Sequence, residues 1–98
     1  MNMNFLKDMA VALISEKYIE GKQNIDELIA DINEVFEMQD KQGVRKTYEE
    51  KISYKTSRID TLGEILRLKK FKKNKNDALK IYKIYLKEVS ELGKLFEE

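Results

Sequence analysis

The sequence predicts an all-α protein, namely a four-helix, mainly antiparallel bundle in which the last two helices form a long hairpin. Its 98 residues include no proline and only four glycines, which favours uninterrupted helices over a turn-rich β fold. Hydrophobic residues make up 42% and charged residues 38% of the chain, a balance typical of amphipathic helices with solvated outer faces. A chain of this length is expected to form a single helical domain over residues 1–98.

Helix 1 is predicted over residues 3–20, because apolar side chains recur there at steps of three and four. These side chains are Phe5, Leu6, Met9, Ala10, Leu13, Ile14 and Tyr18. Gly21 is expected to end the helix in the left-handed conformation. The apolar run over residues 9–14 is too short to cross a membrane, and no basic segment or cleavage site accompanies it. We therefore expect a cytoplasmic protein that does not act at a membrane.

Helix 2 has the most regular apolar pattern. Asn24 is a predicted N-cap, and Glu27 follows three residues later as in a capping box. The predicted core positions are Ile25, Leu28, Ile29, Ile32, Val35 and Phe36. Residues 39–43 are expected to end the helix, with Gly43 as the stop.

Helix 3 is predicted over residues 44–71, with a core seam built mainly from aliphatic side chains. The seam consists of Tyr48, Ile52, Ile59, Leu62 and Leu66, and Lys55 occupies its vacant position. We expect the Lys55 ammonium to reach water at the edge of the seam, with a buried switch as the less favoured alternative. Gly63 is interpreted as a site of close approach by a neighbouring helix.

Helix 4 is predicted over residues 77–97, after a lysine-rich break at 72–76 and a cap at Asn76 or Asp77. Its apolar stripe comprises Leu79, Tyr82, Tyr85, Leu86, Val89, Leu92 and Phe96, widened by Ile81 and Ile84. Helices 3 and 4 are longer than helices 1 and 2, so part of their hairpin is expected to project. An uncovered stripe there needs a partner, which favours a homodimer or a partner-bound form.

Charge is distributed unevenly along a chain whose net charge is only +1. Residues 20–40 hold seven acids and one base, whereas residues 67–87 hold nine bases and one acid. The acidic face of helix 2 is Asp26, Glu27, Asp31, Glu34 and Glu37. The basic tip between helices 3 and 4 is Arg67, Lys69, Lys70, Lys72, Lys73, Lys75, Lys80 and Lys83.

These charged runs have three interpretations. They are solvated surfaces, or the basic tip contacts nucleic-acid phosphates, or it contacts an acidic protein such as helix 2 of a second copy. Phe71, Tyr82 and Tyr85 are close enough in sequence to stack on bases. Lysine predominates over arginine, however, and arginine is the more usual choice for bidentate recognition of phosphates and bases.

The residue types present argue against catalysis. The chain has no histidine and no cysteine, which removes the commonest general base, metal ligand and nucleophile. The acidic pairs Glu16/Glu20 and Glu27/Asp31 depart from the ExxE and ExxD spacing of all-α nucleotide pyrophosphohydrolases. We therefore predict that the protein is not an enzyme and has no cofactor, metal or small-molecule substrate.

The primary hypothesis is a protein-interaction module, acting as an inhibitor, adaptor or regulator of a larger complex through the basic tip and the acidic face. The alternative is a nucleic-acid-binding regulator that uses the same tip. In size and helix count the chain is similar to immunity proteins of pediocin-like bacteriocins and to small phage proteins, without a shared motif. A phage, plasmid or immunity product is therefore one candidate origin.

Overall fold

A computed structural model describes residues 13–42 and 47–97. Within these ranges it contains five helices and no strand, so the all-α prediction is confirmed and the predicted count of four helices is wrong. The helices are α1 over residues 13–19, α2 Ile25–Gln42, α3 Tyr48–Leu66, α4 Lys69–Lys73 and α5 Lys75–Phe96. The predicted beginning of helix 1 and the predicted stop at Gly43 lie outside the described residues.

The two longest helices, α3 and α5, lie side by side and run in opposite directions. Lys55 in the first half of α3 bonds to Glu88 and Glu91 in the second half of α5. Gly63, near the end of α3, lies next to Tyr85, which comes earlier in α5. The remaining helices pack against this antiparallel pair.

The hydrophobic core draws side chains from all five helices. Its buried apolar members are Tyr18, Ile25, Leu28, Ile32, Phe36, Leu62, Ile65, Phe71 and Ile81. The inward row of α2 agrees with the predicted pattern except at Val35, which is exposed. Each fully buried side chain of this size contributes about 1.5–3 kcal/mol from the hydrophobic effect.

Local sequence signals explain the connection between α1 and α2. Gly21 has φ +76°, and the Lys22 and Gly21 amides donate to the carbonyls of Lys17 and Tyr18 at 2.8 and 3.1 Å. This is a Schellman motif, as the prediction of a left-handed glycine requires. In the predicted capping box, the Glu27 amide donates to Asn24 Oδ1 at 2.9 Å, and the Asn24 amide donates to the Glu27 carboxylate.

The predicted single helix over 44–71 is wrong at both described ends. Thr47 caps α3, because its side-chain oxygen accepts from the Glu50 amide at 3.2 Å. At the other end the chain leaves the helix at Leu68, whose φ −63° and ψ 141° are extended. The change of direction allows Phe71 of the separate helix α4 to enter the core.

The cap of the last helix also differs from the prediction. Asn74, rather than Asn76 or Asp77, is the N-cap of α5, and its side-chain oxygen accepts from the Asp77 amide at 3.2 Å. Residues 75 and 76, predicted to belong to the break, are therefore helical. The lysine-rich sequence is mostly helical, with a single non-helical residue between α4 and α5.

Candidate functional site

Some basic side chains of the tip bind other described residues of the protein, and others do not. Arg67 pairs with Glu64 at 2.9 Å, and Lys80 of α5 pairs with Asp26 of α2 at 3.2 Å. The Lys70 ammonium donates to the Tyr18 carbonyl and lies 4.3 Å from the centre of the Tyr18 ring. The side chains that are exposed and bind no described residue are those of Lys69, Lys72, Lys73, Lys75 and Lys83.

Tyr18 is the residue that attaches α1 to the basic tip. Its ring stacks on Phe71 with centroids 4.9 Å apart, and its hydroxyl donates to Asp77 at 2.5 Å. Burial, followed by the hydrogen bond to Asp77 and the charge of that carboxylate, raises the pKa of Tyr18 above its usual value. Phe71 is therefore a core residue and does not offer a surface for stacking on a nucleic-acid base.

The first three residues of the acidic face bind other residues of the same molecule. Asp26 pairs with Lys80, Glu27 completes the capping box, and Asp31 accepts from the Gln23 amide group at 2.6 Å. Glu34 and Glu37 are exposed. Asp31 and Glu34 also line a groove of about 280 Å³ between α1 and α2, together with Leu13, Ile14, Lys17 and Val35.

A network of charged side chains, in which Arg58 and Glu88 are buried, links α2, α3 and α5. Lys55 donates to Glu88 at 2.7 Å and to Glu91. Arg58, which is 3% exposed, donates to the Phe36 carbonyl at 2.9 Å and to Asp40 at 2.6 Å. Each buried charge lies next to a group of opposite charge. This attraction offsets the free-energy cost of removing the charge from water.

The Lys55 side chain is 17% exposed, and its ammonium binds two carboxylates that the sequence did not predict. Burial alone lowers the pKa of Lys55, but the hydrogen bonds that its ammonium donates to Glu88 and Glu91, and the charges of these carboxylates, raise the pKa above its usual value overall. The buried side of α3 also differs from the predicted seam. Tyr48 is exposed, and the buried positions of α3 are Arg58, Leu62 and Ile65. The network borders a polar cavity of about 260 Å³ that Asn33, Glu37 and Lys87 also line.

The outer face of α5 is apolar, and no described residue covers it. The predicted stripe did not separate this face from the side of α5 that lies in the core. Ile81 and Glu88 are buried against the other helices, and Tyr85 is half-buried at the same interface. The exposed apolar side chains, which we call the α5 outer face, are Leu79, Tyr82, Leu86, Val89 and Phe96. Leu86 is 46% and Phe96 62% exposed, although leucine and phenylalanine are usually among the most buried residues.

A row of lysines lies along one edge of the α5 outer face. At 100° per residue, Lys80, Lys83, Lys87 and Lys94 fall on the same side of the apolar stripe. The other edge of the stripe meets the core through Tyr85. The result is an apolar surface that begins at the basic tip and is bordered by positive charge.

Two other kinds of site are not found among the described residues. These residues contain no group of three or more acidic side chains arranged to hold a metal ion. No helix within residues 13–42 and 47–97 has the length and apolar character needed to span a membrane. No protein family, curated protein or solved structure matches the chain.

Proposed function

We propose that this chain is a cytoplasmic, mainly antiparallel helical bundle that acts as a non-enzymatic protein-interaction module. It serves as an inhibitor, adaptor or regulator of a larger complex, and the α5 outer face is its main docking surface. The observation that carries this proposal is the row of five exposed apolar side chains on one helix. Contiguous apolar surfaces of this kind are typical of binding sites, since leaving them in water is unfavourable.

The lysines specify the chemistry of the partner. Lys72, Lys73 and Lys75 have ammonium groups that bind no described residue, and they stand at the beginning of the apolar stripe. A partner with an apolar strip and a cluster of carboxylates complements both parts of the surface. Charge at the rim of such an interface acts mainly on the rate of association and on selectivity.

The proposal is tested by capture from cell extract together with a measurement of self-association. Leu86→Glu places a charge in the centre of the α5 outer face, and Met38→Glu places the same charge at an exposed apolar residue of α2. We expect wild type and Met38→Glu to retain their partner, whether another protein or a second copy, and Leu86→Glu to lose it. Equal binding by Leu86→Glu and Met38→Glu would contradict the proposal.

Nucleic-acid binding is the second candidate, and the observation that favours it is the set of exposed lysines that bind no described residue. Of the aromatic residues near the tip, Phe71 is buried and Tyr85 is half-buried, so Tyr82 is the one left exposed for stacking. Titration with DNA and RNA, single- and double-stranded, at low and physiological salt tests this candidate. Salt-dependent binding that is lost in a Lys72→Glu, Lys73→Glu, Lys75→Glu triple variant would support it, and no binding at low salt would exclude it.

A further inference from the structure

The spacing of the α5 outer face is that of a coiled-coil seam. Leu79, Tyr82, Leu86, Val89 and Phe96 follow each other at steps of three, four, three and seven. These are the a and d positions of a heptad repeat, and the position skipped by the last step is Gly93. A seam of this kind is built to receive another helix along its length.

The order of side-chain sizes along the seam indicates which helix fits. Two copies of α5 can be placed antiparallel about a two-fold axis that passes between Lys87 and Glu88. Three pairs of seam positions then face each other. These pairs are Leu79 with Phe96, Tyr82 with Gly93, and Leu86 with Val89. A Cβ atom added to Gly93 would have no heavy atom within 4 Å, so the space beside it can accept the Tyr82 ring of a second copy.

Charge at the two ends of α5 favours the antiparallel orientation, although this orientation places the lysine rows of both copies on the same side of the pair. Lys72, Lys73 and Lys75 stand at the N-terminal end of α5, whereas Glu97 follows its C-terminal end. A parallel pair would bring two sets of these lysines together, which is unfavourable. The antiparallel pair places each set beside Glu97 and the negative end of the helix dipole of the other copy.

The area of the surface is sufficient for association of two copies. An aromatic side chain covers about 150–250 Å² when fully buried, and the exposed fractions of the five side chains range from 40% to 62%. Together they expose roughly 500 Å², so a pair would bury on the order of 1,000 Å² in total, near the lower limit for a specific interface. An interface of this size predicts a reversible, concentration-dependent dimer.

We propose that the α5 outer face binds a second copy of this chain, with the two α5 helices antiparallel and Tyr82 of each copy packed over Gly93 of the other. This inference rests on the proposed interaction function and names the partner. The second copy supplies both an apolar seam and the Glu97 carboxylate that faces the basic tip. Each copy therefore contributes the same residues to the interface, as a two-fold symmetric dimer requires.

Sedimentation equilibrium over a range of concentrations is the first test. The apparent mass of wild type is expected to rise from 11.6 kDa toward twice that value. We expect Leu86→Glu to weaken self-association at least tenfold and Met38→Glu to leave it unchanged, with circular dichroism checking that both variants remain helical. A wild-type mass of 11.6 kDa at every concentration would overturn the inference.

Cross-linking tests the orientation, and the absence of cysteine from the chain makes it specific. Leu79→Cys and a size-tagged Phe96→Cys variant are mixed and treated with a short bis-maleimide. The antiparallel pair predicts that the mixed cross-linked species predominates. Predominant coupling of Leu79→Cys to itself indicates a parallel pair, and failure of every combination indicates no α5 pair. Either result overturns the inference.

Failure of this inference can be distinguished from failure of the proposed function. A monomeric wild type that captures another protein, and loses it on Leu86→Glu substitution, refutes the second copy but keeps the α5 outer face as a docking surface. A monomeric wild type whose binding is the same in the Leu86→Glu variant refutes both.

Discussion

Lys55 of α3 and Glu88 of α5 form a 2.7 Å ion pair inside the fold, at a position where the helical pattern calls for an apolar residue. Lys55→Leu leaves the Glu88 carboxylate buried, with Arg58 Nη1 3.8 Å away, and we expect it to cost about 3 kcal/mol. Glu88→Leu is expected to cost less, since Lys55 retains Glu91.

A double-mutant cycle separates the pair from the packing around it. The double variant contains neither the Lys55 nor the Glu88 charge, so no member of the pair is left buried without its partner. We therefore expect the double variant to be no less stable than Lys55→Leu alone. Urea unfolding of the wild type, both single variants and the double variant provides the four free energies. Additive losses would show that the two side chains do not interact.

Alkaline pH is expected to destabilise the protein through two residues. The pKa values of Lys55 and Tyr18 are raised in the fold above their ordinary values of 10.5 and 10.0. The folded state therefore holds both protons more tightly than the unfolded state. The stability that each contributes is fully present below its ordinary pKa and is lost as pH rises through the folded value.

Melting temperatures measured from pH 8 to pH 11 test this expectation. We expect Tyr18→Phe and Lys55→Met to be less stable than wild type at pH 8 but to lose less stability on going to high pH. Tyr48→Phe removes an exposed hydroxyl and is expected to follow the wild-type profile. If the melting temperatures of all three variants fall equally steeply as pH rises, the loss of stability at alkaline pH comes from other groups.

Phe71 lies among lysines in the sequence but is 2% exposed. Phe71→Ala is expected to destabilise the fold by about 3–5 kcal/mol, because it leaves a cavity against the Tyr18 ring. Tyr82→Ala removes an exposed aromatic ring and is expected to cost much less. Comparable stability of the two variants in urea unfolding would contradict the placement of Phe71 in the core.

Gly63 and Gly21 are expected to respond in opposite ways to substitution by alanine. A Cβ at Gly63 would lie 3.9 Å from a carbon of the Tyr85 ring, an ordinary contact, so Gly63→Ala should stabilise α3 by about 0.5–1 kcal/mol. Gly21→Ala must adopt φ +76°, which costs roughly 1–2 kcal/mol in a residue with a side chain. Thermal unfolding of both variants tests the pair, and stabilisation by Gly21→Ala would be inconsistent with the Schellman motif.

The predictions from sequence succeeded where a short pattern determines local structure. The left-handed conformation of Gly21 and the capping box of Asn24 and Glu27 depend on neighbouring residues alone. The Thr47 cap of α3 was missed although Glu50, three residues later, completes the usual signature. Thr47 followed by Glu50 is therefore the sequence signal that marks the beginning of α3.

The buried ion pairs could not be predicted from helical periodicity. Arg58 and Glu88 occupy core positions because each finds opposite charge on another helix, and the pairing depends on how the helices pack. Similarly, α5 has apolar residues on two adjacent faces, and only the positions of its neighbours determine which face is covered. The basic tip was found from composition, whereas the engagement of Lys70 and Lys80 required the fold.

The hydrogen bond between Tyr18 and Asp77 has a consequence for the order of folding. It joins residues 59 positions apart, and Phe71 and Lys70 contact the same tyrosine. Of the five described helices α1 is synthesised first, whereas Phe71 of α4 and Asp77 of α5, which contact Tyr18, are synthesised later. Closing so long a loop is entropically costly before other contacts form. The first of the five described helices is therefore expected to dock last.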